Sequence, residues 1–366
     1  MRALVSLLVL AACGDDDSAT DAAVDAAADA AVDTARERDA GEDAGVDAGD
    51  VGSDARANND AGSDAGPAGR VAFVAVGWGG RRLVSCDDGR TWSGDIEEAP
   101  ESEDDWHRSY TPKSLAFGEG AFLFLTGWGT NSTIWRSEDG SAWTDVALET
   151  SYGALGFIGD RFVAVGNRVV SDSYDGGRTW VDREDAAARH DRAGGAFPGV
   201  LASGADGEVE FDRGEGWTLL ESCVGARHGH IGFEGGFAVG NGTLVSVGHD
   251  GDTCALDLES GADLGAGSVG AATPGPPTFA DGRFVVATGA QLLRSTNGLT
   301  WTSEDLPEGV RFELVARGSN GTWVGISQSG DRFFYSDDGR AWSTGSGPEG
   351  NGVLYVTSGV LERCGG

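Results

Sequence analysis

The chain has 366 residues and a single lysine, Lys113, among 26 basic residues that face 59 acidic ones. Its formal charge is −33 and no run of Lys and Arg interrupts it, so a phosphate backbone would be repelled and nucleic acid is excluded as a partner. Arginine suits planar, bidentate contacts, but a GC-rich genome leaves the same skew, and we favour that origin. No Cys-x-x-Cys pair is present, which argues against zinc. No Asp-x-Asp-x-Asp-Gly spacing is present either, which argues against a calcium loop. Neither metal nor cofactor is expected. Long apolar runs are also missing: the stretch MRALVSLLVLAAC, residues 1–13, is too short to span a hydrocarbon core of ~30 Å. Its basic Arg2, apolar centre and small residues instead fit a signal peptide.

Leu10-Ala11-Ala12-Cys13 resembles the bacterial lipobox. The resemblance implies cleavage after residue 12, lipidation of Cys13, and a bilayer as the first partner through the acyl anchor. Several acyl chains hold firmly where one binds only marginally. Gly14 follows the cysteine where inner-membrane retention would use Asp, so the expected location is the outer membrane of a bacterial envelope, facing the periplasm or the surface. Residues 13–69 then form an acidic linker of Asp, Ala and Gly. From residue 14 to 69 there are 16 acidic and 3 basic side chains. Asp21, Asp25, Asp29 and Asp33 recur every four positions, stacking like charges on one face of any helix that formed. Such a segment cannot bury enough surface to fold and is expected to be a disordered tether.

Glycine, at 61 residues, runs far above the usual ~7% and suits many tight turns better than long helices. From residue 70 to 366 those turns repeat. SCDDGRTW (85–92), SEDGSAW (137–143), SYDGGRTW (173–180), STNGLTW (295–301) and SDDGRAW (336–342) each follow two apolar strands. The apolar patterning between turn signals argues for half-buried antiparallel strands. Trp92, Trp143, Trp180, Trp301 and Trp342 close five units; Trp217 closes a degraded one, FDRGEGW; and a copy without the motif ends near Leu264. Seven units of ~40 residues, each a four-stranded sheet, describe an all-β, seven-bladed β-propeller of antiparallel blades.

The Ser-x-Asp-x-Gly-x-Thr-Trp stretch resembles the Asp-box, or bacterial neuraminidase repeat, of sialidase-like propellers. Two copies match in full, three are shortened or carry Asn, and two units have lost it. The resemblance implies that Asp87, Gly89 and Trp92, Asp139, Gly140 and Trp143, Asp175, Gly177 and Trp180, Asn297, Gly298 and Trp301, and Asp338, Gly339 and Trp342 build hairpin turns between third and fourth strands. The carboxylate then caps the turn, and the tryptophan packs on a neighbouring sheet. These are structural residues and not catalytic ones. Blade 1 begins abruptly at VAFVAVG, and GVLYVTSG near the C-terminus can supply its missing inner strand, which would remove an exposed edge. Besides Cys13, the cysteines Cys86, Cys223, Cys254 and Cys364 allow three pairings; the blade layout favours Cys223 with Cys254 and Cys86 with Cys364.

A ligand site is expected on the face opposite the boxes. Trp78 in GWGG and Trp128 in GWGT fall in equivalent turns of blades 1 and 2. His107, Arg108 and Tyr110 lie in the insertion that stretches the spacing between those blades to 51 residues, against 37 to 47 elsewhere. Long ordered loops on a rigid scaffold are often functional. His228 and His230 in RHGHIG would share one face if the segment forms a strand, but too few further ligands accompany them for a metal. The sialidase resemblance also implies a Phe/Tyr-Arg-Ile-Pro stretch, an arginine triad and a Tyr/Glu pair, and only Phe197-Pro198 faintly matches the first. No sequence feature selects two carboxylates at glycosidase spacing. The expected function is therefore non-catalytic binding of a protein, glycan or envelope component by a monomer, with a glycoside hydrolase or lyase as the alternative.

Overall fold

The computed structural model describes residues 69–96, 111–127, 131–166, 169–183, 193–205, 208–223, 235–271 and 273–365. These form seven four-stranded antiparallel sheets, the blades of a β-propeller. Blade 2 runs from Ser114 to Leu148, blade 3 from Tyr152 to Asp182, blade 4 from Ala193 to Leu219, blade 5 from Gly235 to Ser268, blade 6 from Thr278 to Asp305 and blade 7 from Leu314 to Thr344. Blade 1 takes Arg70–Gly77, Arg81–Ser85 and Ser93–Ile96 from the start of the domain and its inner strand, Val353–Leu361, from the end. The closing ladder registers Arg70 with Leu361 and continues to Gly77 with Val353. The C-terminal strand thus fills the place that VAFVAVG left open and gives blade 1 its fourth strand.

Seven clusters of buried apolar side chains hold the ring, one between each pair of adjacent blades. Phe73 and Ala75 point into blade 7, whereas Ala72, Val74 and Val76 of the same strand point into blade 2. The second strands are consequently buried on both faces, as in Ala121–Thr126 and Thr243–Gly248. This differs from the half-buried strands expected from the sequence. A blade is clasped between two neighbours, so its second strand is covered on both faces. The outer strands show that rim: Thr144–Leu148 and Asp263–Ser268 are largely exposed.

Both disulfides link the expected partners. Cys86–Cys364 ties the chain's end to blade 1, and Cys223–Cys254 joins blade 4 to blade 5. Residues 1–68, with Cys13 and the acidic linker, lie outside the described residues. Among the described residues, no helix is long and apolar enough to cross a membrane.

Candidate functional site

In an antiparallel meander the first and third hairpins share one end of the blade, and the second hairpin shares the other with the connection to the next blade. The Ser/Asp/Gly turns therefore occupy one face of the ring. Trp78 and the inter-blade connections occupy the opposite face.

On the turn face, the geometry of one motif explains all. The Ser173 hydroxyl accepts from Gly177 N–H at 2.9 Å and donates to Asp175 Oδ1 at 2.9 Å. Asp175 Oδ1 also accepts from Arg178 and Thr179 N–H at 3.0 and 2.9 Å, and Oδ2 accepts from the Thr179 hydroxyl at 2.7 Å. Burial works against the charge, but the Thr179, Ser173 and Arg178 donors outweigh it and pull the Asp175 carboxyl down to about 2. The Trp180 indole N–H donates to Gly177 O at 3.2 Å. Asp87 repeats this arrangement with Thr91 and Ser85. In the shortened turns the same oxygen reaches N–H groups two and three residues on: Ser141 and Ala142 for Asp139, and Arg340 and Ala341 for Asp338, all at 2.8 Å. Asn297 does likewise with Leu299 and Thr300, both at 3.0 Å. An amide oxygen accepts as a carboxylate does, which is why Asn can stand there.

The two units without the full motif keep the carboxylate. Asp212 Oδ1 accepts from Gly214 and Gly216 N–H at 2.7 and 2.9 Å. Asp257 Oδ1 accepts from Ser260 N–H and hydroxyl at 2.7 and 2.6 Å. Every blade thus has one Asp or Asn committed to its outer hairpin. Sequence reasoning missed the last two because it sought the whole motif, when an aspartate followed within four residues by glycine was the surviving signal. The glycines are constrained twice. Gly177 has φ +87° and Gly140 φ +81°, and a Cβ at either would press into Leu123 or Val84 of the preceding blade. The closing tryptophans are less buried than expected. Trp92 is buried and stacks on Phe333 of blade 7 with centroids 5.6 Å apart, while Trp143, Trp180, Trp217, Trp301 and Trp342 are half-buried, because the rim of a blade is covered on one side only.

On the opposite face, Trp78 is half-buried in a turn whose Gly79 has φ +70°. Its N–H donates to Gly352 O at 2.9 Å, and Asn351 Nδ2 donates to its carbonyl at 3.3 Å. Three residues on, Arg81 is buried and its guanidinium donates to the carbonyls of Gly330, Asn351 and Pro348. Burial lowers the Arg81 pKa, with Asp331 opposing. This arginine fixes the 348–352 segment beneath Trp78, a role with no signal in the local sequence. Trp128, His107, Arg108 and Tyr110, the other residues of the expected site, lie outside the described residues, as do His228 and His230.

The inner strands of all seven blades surround a central cavity of about 340 Å³. Among the described residues its one charged lining residue is Lys113, which is buried and donates from Nζ to Tyr152 O at 3.0 Å. Tyr355 of the closing strand donates to the Lys113 carbonyl, so polar links run across blades 1, 2 and 3 at this wall. The Tyr152 phenol is itself buried between Ser171 and Asp182. Burial above all pushes it up to about 12, so it stays protonated at neutral pH. Asp172, a buried carboxylate, is held by Arg161 at 2.9 Å and Arg183 at 2.5 Å. Among the described residues no group of His, Cys, Asp and Glu could hold a metal ion.

A search of family signatures finds no match, and no curated protein matches significantly. Solved structures are similar in fold at low identity. The WD40 β-propeller domain of Doa1 aligns at 15% identity and TM-score 0.50, covering 72% of this chain and 89% of its own. YCF48 bound to D1 peptide aligns at 16% identity and TM-score 0.48, covering 81% and 94%. The virginiamycin B lyase of Staphylococcus aureus aligns at 12% identity and TM-score 0.47, covering 64% and 84%. At such identities the likeness is one of fold, and function does not follow from it.

Proposed function

We propose that this chain is a lipid-anchored Asp-box propeller of the bacterial envelope that binds a partner without catalysis, on the face opposite its Ser/Asp/Gly turns. The observation that carries the reading is the division of labour between the faces. On one face, a carboxylate or amide in every blade is committed to backbone N–H groups of its own hairpin. The other face offers Trp78 on a turn pinned by the buried Arg81. An aromatic plane on a rigid turn can stack on a sugar ring or a peptide. Arg108 with Trp78 and Trp128 suits a carbohydrate acid or an acidic peptide, and would offset the domain's negative charge locally.

The test uses the full-length chain in detergent micelles against a panel of acidic glycans and acidic peptides. Trp78→Ala combined with Trp128→Ala should weaken binding ten-fold or more, about 1.4 kcal/mol, with melting nearly unchanged. Normal binding by the double variant would make the two tryptophans blade packing. Product release from any glycan would replace the binding reading with a hydrolytic one. Cys13→Ser should abolish membrane partition; unchanged partition would remove the anchor from the proposal.

A further inference from the structure

The two disulfides sit in unlike surroundings. Cys223 and Cys254 are each 1% exposed and lie inside the cluster between blades 4 and 5. Cys86 and Cys364 are half-buried at the margin of the cluster between blades 1 and 2. Cys86 occupies the second position of its turn. Its counterparts Glu138, Tyr174, Thr296 and Asp337 are all exposed. What covers Cys86 is the segment after the closing strand, residues 362–365. That segment crosses from one turn to the next: Cys364 bonds Cys86 of blade 1, and Gly365 N–H donates to Asp139 O of blade 2 at 3.0 Å. Glu362 and Arg363 line a groove of about 580 Å³ together with Arg136, Glu138 and Arg178.

The strap and the ring are held by different forces. The ladder from Arg70–Leu361 to Gly77–Val353 closes blade 1 without help from the disulfide. Tyr355 and Ser358 add bonds from the closing strand to the Lys113 and Arg317 carbonyls. The strap beyond Leu361 has the disulfide and the Gly365–Asp139 bond.

We propose that Cys86–Cys364 is a redox clasp whose reduction frees the strap 362–365 and opens the groove beside Arg136 and Arg178 while the propeller stays closed. The reductant is a dithiol. Its thiolate attacks one sulfur, the Cys86–Cys364 bond breaks to give a mixed disulfide, and its second thiol resolves that intermediate. The dithiol leaves oxidised to a disulfide, and its two electrons and two protons end on Cys86 and Cys364 as thiols. Cys223–Cys254, without comparable access, stays oxidised. The inference stands independently of the anchor and of the ligand on the opposite face.

The test titrates the full-length native chain with dithiothreitol, alkylates with iodoacetamide and locates the label by mass spectrometry. Hydrogen exchange is followed in parallel. Cys86 and Cys364 should label at a dithiothreitol concentration at least ten-fold below that for Cys223 and Cys254. Exchange at residues 362–365 should rise at least ten-fold, with protection of residues 353–361 retained. Cys364→Ser should reproduce that exchange pattern without reductant. Simultaneous labelling of both pairs, labelling only on unfolding, or loss of protection across 353–361 would overturn the proposal. So would a Cys364→Ser chain that does not fold, because the ladder would then not suffice.

Discussion

Replacing Gly177 with Ala tests whether the turn glycines serve backbone conformation alone or also the fit between blades. Gly177 has φ +87°, where an L-residue costs about 1–2 kcal/mol. Its added Cβ would also lie 3.1 Å from Leu123 Cγ and 3.3 Å from Leu123 Cδ1. Leu123 is fully buried in the cluster between blades 2 and 3, so it cannot swing aside freely, and overpacking adds about 1–3 kcal/mol. The expected loss is about 2–5 kcal/mol when both costs are summed. Gly159, in the inner hairpin of the same blade, is the control: φ is +62° and nothing lies within 4 Å of its added Cβ. Gly159→Ala should therefore cost the conformational share, about 1–2 kcal/mol. Urea unfolding of the full-length chain, followed by tryptophan fluorescence, gives both values from the shift in midpoint at unchanged slope. Equal losses for the two variants would refute the reasoning, since the neighbouring blade would then contribute nothing at Gly177.

Acid should weaken the turns. The Asp175 carboxyl is depressed to about 2 from an unfolded value near ~3.9, so its contribution is complete above about pH 4 and is lost as pH falls from about 4 toward 2. Asp87, Asp139 and Asp338 shift in the same direction. Melting temperature should drop through that window, and less steeply in Asp175→Asn; parallel curves for the two proteins would contradict the assignment. Trp92→Ala should destabilise by about 3–5 kcal/mol, and Trp180→Ala by less, because only Trp92 is buried; equal values in the same urea assay would count against that distinction. Asp172→Ala should cost about 1–3 kcal/mol, a buried-pair loss softened by water reaching the two arginines. A further Arg183→Ala should recover part of it, and strictly additive losses would show that the pair is uncoupled.

Much of this architecture was legible because the turn motif is local. Ser173, Asp175, Gly177 and Thr179 bond one another within seven residues, so the sequence alone announces each hairpin and its periodic return. The degraded copies show the limit of that reading. At Asp212 and Asp257 the capping bonds persist after most of the motif has gone, because one acceptor and a permissive backbone suffice. The opposite face was legible only in outline. Trp78 could be placed by repeat alignment, but Arg81, which bonds carbonyls about 250 to 270 positions away, could not.

What the sequence determined by itself was the number of blades, the type of five of the seven outer hairpins and the completion of blade 1 by the C-terminal strand. All three rest on bonds inside a single hairpin or on counting repeats. Only the tertiary structure decided that second strands are buried on both faces, that the closing tryptophans are mostly half-covered, and that Cys86 lies under a strap. The reason is geometric. A blade's sides acquire their environment from neighbours about 40 residues away, and blade 1 acquires its own from the strand Val353–Leu361, which registers with Arg70–Gly77. No local pattern encodes those distances; closing the ring does.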